Sequence, residues 1–392
     1  LRIWLFTEQS YHPAWERIDG SLRVTPPSSV MDPRTVADLY HRYLDELVLG
    51  DQLGFDIMIN EHHASLSCMS AIPAISLAIL ARETKKARLL CLGVPIANRT
   101  DPVRVAEELA ILDNLSRGRL EFGLVKGSGW ELYLSNQNPA RMMERYWEAH
   151  DLILKAFATR DGPFSWEGEY FNYRSVNLLP PIYQYPCPPM WVPGSSKESA
   201  RSAAEHGYTL AAFLCGYQAK ATFAAYRDEY RRVHQREARD DRLAYLGMAV
   251  CATSESEARL RAQKLYSYYS TVPRSPPATF NPPGYTPVEA NAQALLRADA
   301  KPFAVLMPDG SPLPDNPSLE TLSEAGILFW GTPDQVTKQI STFVEQVGGL
   351  GHFLCMAQGG YLDHDETVDS LKLLAREVYP WLRQSPRQAR AG

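Results

Sequence analysis

The chain has 392 residues, 45% of them hydrophobic, and a formal net charge of -5. That length exceeds the usual single domain but suits an α/β barrel with insertions. Its scattered charges leave no basic footprint for nucleic acid, and no stretch approaches the roughly 18 apolar residues of a membrane span. The six cysteines, at 68, 91, 187, 215, 251 and 355, include no Cys-x-x-Cys pair. We therefore expect reduced core residues, with neither a disulfide framework nor a thiolate metal site. The sequence opens on an apolar run, Leu1–Phe6, without a signal-peptide pattern, which predicts a soluble cytoplasmic protein.

In chain order, strand-like runs fall at 2–6, 55–59, 87–94, 119–125, 189–193, 208–213, 243–250 and 352–357. Amphipathic segments lie between them at about 34–53, 70–84, 102–115, 139–158, 197–206, 219–236, 254–268 and 333–347. Asp101-Pro102 is a strong helix start, and Gly118, Gly207 and Gly348-Gly349 follow helices, where positive φ is useful. Eight strands alternating with helices predict an α/β fold, one (β/α)8 TIM barrel over residues 1–392. The open doubly wound sheet is the alternative, but no strand precedes a Gly-x-Gly-x-x-Gly.

Two parts break the repeat. Residues 159–188, rich in Tyr, Phe, Trp and Pro, suit a long ordered loop. Residues 271–320 form a Pro-rich insertion before the final strand. We expect it to close over the barrel mouth as a lid, using Tyr268, Tyr269, Phe280, Tyr285 and Phe303; a disordered or interface segment is the alternative.

The most informative stretch is Phe55-Asp-Ile-Met-Ile-Asn-Glu61-His62-His63-Ala64. It reads as a buried strand that delivers a carboxylate and two imidazoles at its C-terminal end, the catalytic end of a β/α barrel. Imidazole trades protons near neutrality, so Glu61, His62 and His63 are candidate catalytic residues. A metal triad fits less well, because adjacent side chains of an extended segment diverge. After the fifth strand, Gly194-Ser195-Ser196-Lys197-Glu198-Ser199 opens a helix. Its free N–H groups, with the Ser196 and Ser199 hydroxyls, make a phosphate cradle, although Ser195 could serve only as the cap. Gly93 permits either close backbone approach or a strand bulge. Arg141 and Arg145 share a helix face with Glu148, as an ion-paired surface or as a reach toward substrate or phosphate. Trp4, Phe6, Trp130, Tyr133, Trp191 and Trp330 are pocket candidates that ordinary packing could equally claim.

Several of these pieces, in order, carry a resemblance: Asn60-Glu61-His62-His63; Asn98 to Arg104; Leu112 to Gly127; Pro189 to Ser196; and Gly331 to Val336. The chain resembles the bacterial luciferase-like superfamily of flavin-dependent oxidoreductases along nearly its whole length apart from 271–320. The resemblance implies a barrel that binds FMN or the deazaflavin F420, with FMN favoured. It implies chemistry on His62 at the flavin, with Gly93 and Val94 beneath the ring and Asn98 at the ring edge or ribityl chain. It places Gly194, Ser195, Ser196 and Ser199 at the phosphate. Lys126 stands where luciferase has an arginine, keeping the charge but losing the bidentate geometry.

The implied activity is that of a monooxygenase. Reduced FMN from a separate NAD(P)H:flavin reductase and O2 would oxygenate an apolar or aromatic organic substrate through a C4a-hydroperoxyflavin. Hydroxylation, aldehyde oxidation and Baeyer–Villiger insertion all stay open. An F420-dependent dehydrogenase or reductase, or a noncatalytic flavin-binding barrel subunit, are the alternatives. The resemblance also implies a homodimer, with 70–84 and 102–115 as candidate interface helices, and gives no nucleic-acid or membrane partner.

Overall fold

Each of the eight apolar runs becomes a parallel strand: β1 (Arg2–Phe6), β2 (Asp56–Ile59), β3 (Leu89–Pro95), β4 (Leu120–Val125), β7 (Met190–Pro193), β8 (Thr209–Phe213), β9 (Leu243–Cys251) and β11 (His352–Met356). In this computed structural model, which describes residues 1–271, 282, 284–285 and 305–383, they close into a ring. Trp4 pairs with Asp56 on one side and with Leu354 on the other, and Leu210 against Leu243 completes the circuit. Nearly every residue of these strands is buried, because one face fills the barrel and the other meets the surrounding helices. The fold is a (β/α)8 barrel.

The helices begin and end where side-chain chemistry allows. α1 (Pro33–Leu53) starts with Asp32 accepting from the Thr35 N–H and ends at Gly54, with φ 89°. α3 (Pro102–Ser116) starts with Asp101 accepting from the Arg104 N–H at 3.1 Å. α2 (Pro73–Glu83) packs beside α3 on the outside of the ring.

Three elements differ from the sequence expectation. Residues 159–188 contain an antiparallel hairpin, β5 (Phe164–Glu167) with β6 (Asn172–Val176), where a loop was expected. Glu148 from α5 (Met142–Ala158) accepts the N–H groups of Glu169, Tyr170 and Phe171, so one carboxylate fixes the hairpin turn. A further strand, β10 (Leu328–Gly331), lies outside the ring and pairs with the end of β9. The Leu214 N–H reaches Leu246 O and the Met248 N–H reaches Ile327 O, so β10 continues the edge of β9 that β8 occupies further back. The short helix α4 (Gly129–Leu134) follows β4 and was not expected.

The expected lid lies mostly outside the described residues, Phe280 and Phe303 included. Tyr268 and Tyr269 belong to helix α8 (Glu255–Thr271), which follows α7 (Gln218–His234) and β9, and Tyr285 meets Tyr133 edge-on at 5.3 Å. Among the described residues no helix is long and apolar enough to cross a membrane, and all six cysteines are free.

Candidate functional site

The C-terminal ends of the strands surround a cavity of about 250 Å³. Its wall comes from β1 (Phe6, then Glu8), from Arg23, from the segment after β2 (Asn60, His62), from the end of β8 (Phe213, Leu214), from β9 (Leu246), from α8 (Tyr268, Tyr269) and from β11 (Met356). Aromatic and aliphatic groups dominate, with a few polar atoms among them, which is how small-molecule sites are built.

His62 is the best-anchored titratable group on that wall. Its Nδ1–H donates to Glu131 Oε1 at 2.9 Å, while Nε2 has no partner among the described residues. Glu131 is itself held. Its Oε2 accepts from the Ser128 N–H at 2.7 Å and the Ser128 hydroxyl at 3.0 Å, forming the capping box of α4. Burial opposes ionisation of Glu131, but the hydrogen bonds from His62 and Ser128 outweigh it and hold the carboxyl below its usual range. Trp130 packs 5.9 Å from the His62 ring and carries the Arg23 guanidinium at 5.2 Å on its face.

Glu61 and His63 turn the other way. The His63 Nε2–H donates to Glu61 Oε1 at 2.8 Å, and Arg99 pairs with the same carboxylate. This cluster borders a small recess toward α2 and α3, lined also by Val94 and Glu108, and neither Glu61 nor His63 lines the His62 cavity. The divergence of neighbouring side chains in an extended segment accounts for the split.

The other candidates gather at the ends of β3, β4 and β7, which are neighbours in the ring. Gly93 follows a cis peptide bond from Leu92 and sits where the β3–β4 register shifts. A Cβ there would lie 2.6 Å from Gly123 O, so contact with β4 alone demands glycine. Val94 faces the outer recess. Asn98 lies over Gly127, whose Cβ would come 3.0 Å from Asn98 Nδ2, and Asn98 Oδ1 is buried without a hydrogen-bond partner among the described residues. Lys126 is exposed at the end of β4.

Helix α6 (Lys197–Glu205) opens beside them, with Ser196 as its N-cap. The Ser199 N–H donates to Ser196 Oγ at 3.1 Å, and the Ser199 hydroxyl donates back to Ser196 O at 2.9 Å. Both hydroxyls therefore serve the cap, and Ser195 contributes its carbonyl to Thr222 Oγ1 at 2.9 Å. The Glu198 carboxylate also occupies this helix start, held below its usual range by its own backbone N–H and by the Ser196 hydroxyl.

These residues fit a flavin phosphate and ring. An amide oxygen at Asn98 and an N–H at Trp130 Nε1, both buried and without a hydrogen-bond partner among the described residues, stand with an exposed lysine and a helix N-terminus on one side of the mouth. Arg145 does not line the cavity. Its Nε–H donates to Ala97 O at 3.1 Å, and Nη2 donates to Arg99 O, which fixes the turn that carries Asn98. Arg141 pairs with Glu169 and Tyr170 of the hairpin turn. Trp4 and Trp191 pack 5.4 Å apart inside the barrel, away from the cavity wall, and Trp330 donates to Leu319 O.

The sequence reading missed Glu8, Arg23 and Glu131. Ser128-x-x-Glu131 is a capping-box signature and was readable. Glu8 follows β1 as His62 follows β2, so the same strand-end argument reaches it. Arg23 gave no signal, since it stands in an irregular segment whose path only the folded chain defines.

The family described as luciferase-like monooxygenase matches residues 24–350. The chain is 36% identical over 175 residues to the uncharacterized protein y4wF of Sinorhizobium fredii, covering 43% of this chain and 50% of that one. It is 28% identical over 182 residues to the oxygenase component of a flavin-dependent trigonelline monooxygenase from Acinetobacter baylyi, covering 45% and 49%. The chain thus spans about half the length of the curated relatives it matches. The crystal structure of monooxygenase RslO1 from Streptomyces bottropensis superposes with a TM-score of 0.72 at 19% identity, covering 97% of this chain and 99% of that one.

Proposed function

We propose that this chain, which belongs to the luciferase-like monooxygenase family, uses reduced FMN and O2 to oxygenate an apolar or aromatic organic molecule. The observation that carries this reading is the placement of His62. Its Nδ1 is tied to Glu131 beside the cofactor side of the mouth, while the ring lines the apolar cavity and leaves Nε2 available for proton transfer. Bound reduced FMN supplies the two electrons that activate O2. The α6 N-terminus and Lys126 hold its phosphate, and Asn98 Oδ1 accepts from its polar edge. Phe6, Phe213, Leu246 and Met356 hold the organic substrate and exclude water. Glu61 and His63 act on the loop after β2 and take no part in the proton transfer.

Reduced FMN arrives from a separate NAD(P)H:flavin reductase, a view supported by the lack of a dinucleotide fingerprint in the sequence. Two copies pair through α2 and α3.

The test compares wild type with His62→Ala. Reduced FMN affinity should stay within about threefold, while coupled substrate oxidation falls on the order of a hundredfold and peroxide release rises. Tight F420 binding without reduced-FMN binding, or undiminished coupled oxidation by H62A, would overturn the proposal.

A further inference from the structure

Among the polar groups of the cavity wall that the proton-transfer chemistry leaves unused is a carboxylate. Glu8 stands two residues beyond β1, half-buried in the cavity wall beside Phe6. Its Oε2 is buried with no hydrogen-bond partner among the described residues. A buried carboxylate oxygen in that condition is costly until a donor reaches it. The Tyr268 hydroxyl and the Cys68 thiol are both buried beside it, and burial, with the Glu8 charge and a side-chain hydrogen bond to its carboxyl adding to it, pushes both well above their ordinary values. Tyr268 and Cys68 thus lie within hydrogen-bonding reach of the carboxyl, while Oε2 is left without a partner among the described residues.

We infer that Glu8 is the specificity-determining residue of the cavity, and that the substrate is a compact ring compound bearing a hydroxyl or N–H donor that docks on its carboxylate. This deepens the monooxygenase reading and rests on it for the later chemistry, though not for binding. The walls formed by Phe6, Phe213, Tyr268 and Met356 take the ring, and His62 lines the same space. Arg23 lines it too, with the opposite charge to Glu8, so the wall carries little net field. Selection then comes from the hydrogen bond. An analogue without the donor leaves the carboxylate unsatisfied and is rejected on that account.

The probes are 2-naphthol and 2-methoxynaphthalene, which share a ring system and differ in the donor. Binding of each to the full chain is measured by calorimetry for wild type, Glu8→Gln and Glu8→Leu, with circular dichroism as the folding control. Wild type should bind 2-naphthol at least tenfold more tightly than the ether. E8Q keeps an acceptor and should retain part of that preference, whereas E8L should lose it by weakening 2-naphthol alone. Equal binding of both probes by wild type, no binding of either, or an undiminished preference in E8L would overturn the inference. Reduced FMN affinity is measured on the same samples. Failure of wild type to bind reduced FMN, with the naphthol preference intact, removes the cofactor assignment and leaves the Glu8 role standing.

Discussion

His62 has one ring nitrogen fixed and one available, and the fixing depends on a carboxylate that already caps α4. Replacing Glu131 with Gln preserves shape and an acceptor for the Ser128 N–H, so α4 should persist. What is lost is the charge-assisted bond that orients the imidazole. We expect E131Q to lower kcat for coupled oxidation by about tenfold or more, with reduced-FMN affinity little changed. A change confined to FMN affinity or thermal stability would reduce Glu131 to a helix cap. Glu198 predicts the opposite kind of effect. Its carboxylate sits at the α6 N-terminus, where a bound phosphate would compete for the same N–H groups. Removing it by Glu198→Ala should tighten reduced FMN about two- to fivefold, the worth of a charge at a helix end. Unchanged or weaker affinity, read by fluorescence titration, would separate the phosphate from α6.

At the scale of elements, the two ends of the strands do different work. The N-terminal ends hold a buried polar plug in which the Trp4 Nε1–H donates to His352 Nδ1 at 3.0 Å and His352 Nε2–H donates to Asp241 O at 3.0 Å. The bond from Trp4 requires an unprotonated Nδ1 and hence a neutral ring, and burial, outweighing the Asp241 carbonyl that favours the charged form, lowers the pKa to about 3. The unfolded chain therefore takes up a proton below about 6.5 that the folded chain refuses. His352 thus costs stability as pH falls from about 6.5 toward 3. Between pH 7 and 5 that loss is about 2 kcal/mol. Urea unfolding of His352→Gln, which retains an acceptor and a donor, should show a shallower pH dependence over that interval; an identical slope would refute the assignment.

The same division explains what the sequence revealed. Strands buried on both faces are near-continuous apolar runs, so all eight ring strands were legible. Leu328-Phe-Trp-Gly331 is equally apolar, yet it pairs outside the ring, and no local pattern says which strands close. The hairpin at 164–176 alternates between half-buried and exposed positions, a weak signal in a Pro-rich stretch. Site residues were legible where a strand end delivered them, as with His62. Glu8, two residues beyond β1, was within reach of the same argument, whereas Arg23 depends on how residues 7–31 fold over the mouth, which follows from tertiary contacts such as the Arg23–Ser65 bridge.

For the whole molecule, the outer face of the barrel is uneven. Ile72, Ile75 and Ile79 are exposed on and just before α2, and Ile111 and Leu115 are exposed on the adjacent α3. Neighbouring branched apolar side chains on two packed helices form a patch of the kind that protein contacts cover. In a two-fold dimer the same patch meets itself, so any one substitution enters the interface twice. Ile75→Glu would then place two carboxylates in an apolar contact, where desolvation and mutual repulsion both oppose association. Ile75 points to solvent within one chain, so the barrel itself should tolerate the change, with circular dichroism and melting temperature close to wild type. Sedimentation equilibrium at micromolar concentration should give twice 44.0 kDa for wild type and 44.0 kDa for I75E. A wild-type monomer would refute pairing, while a dimer that survives I75E would move the interface away from α2 and α3.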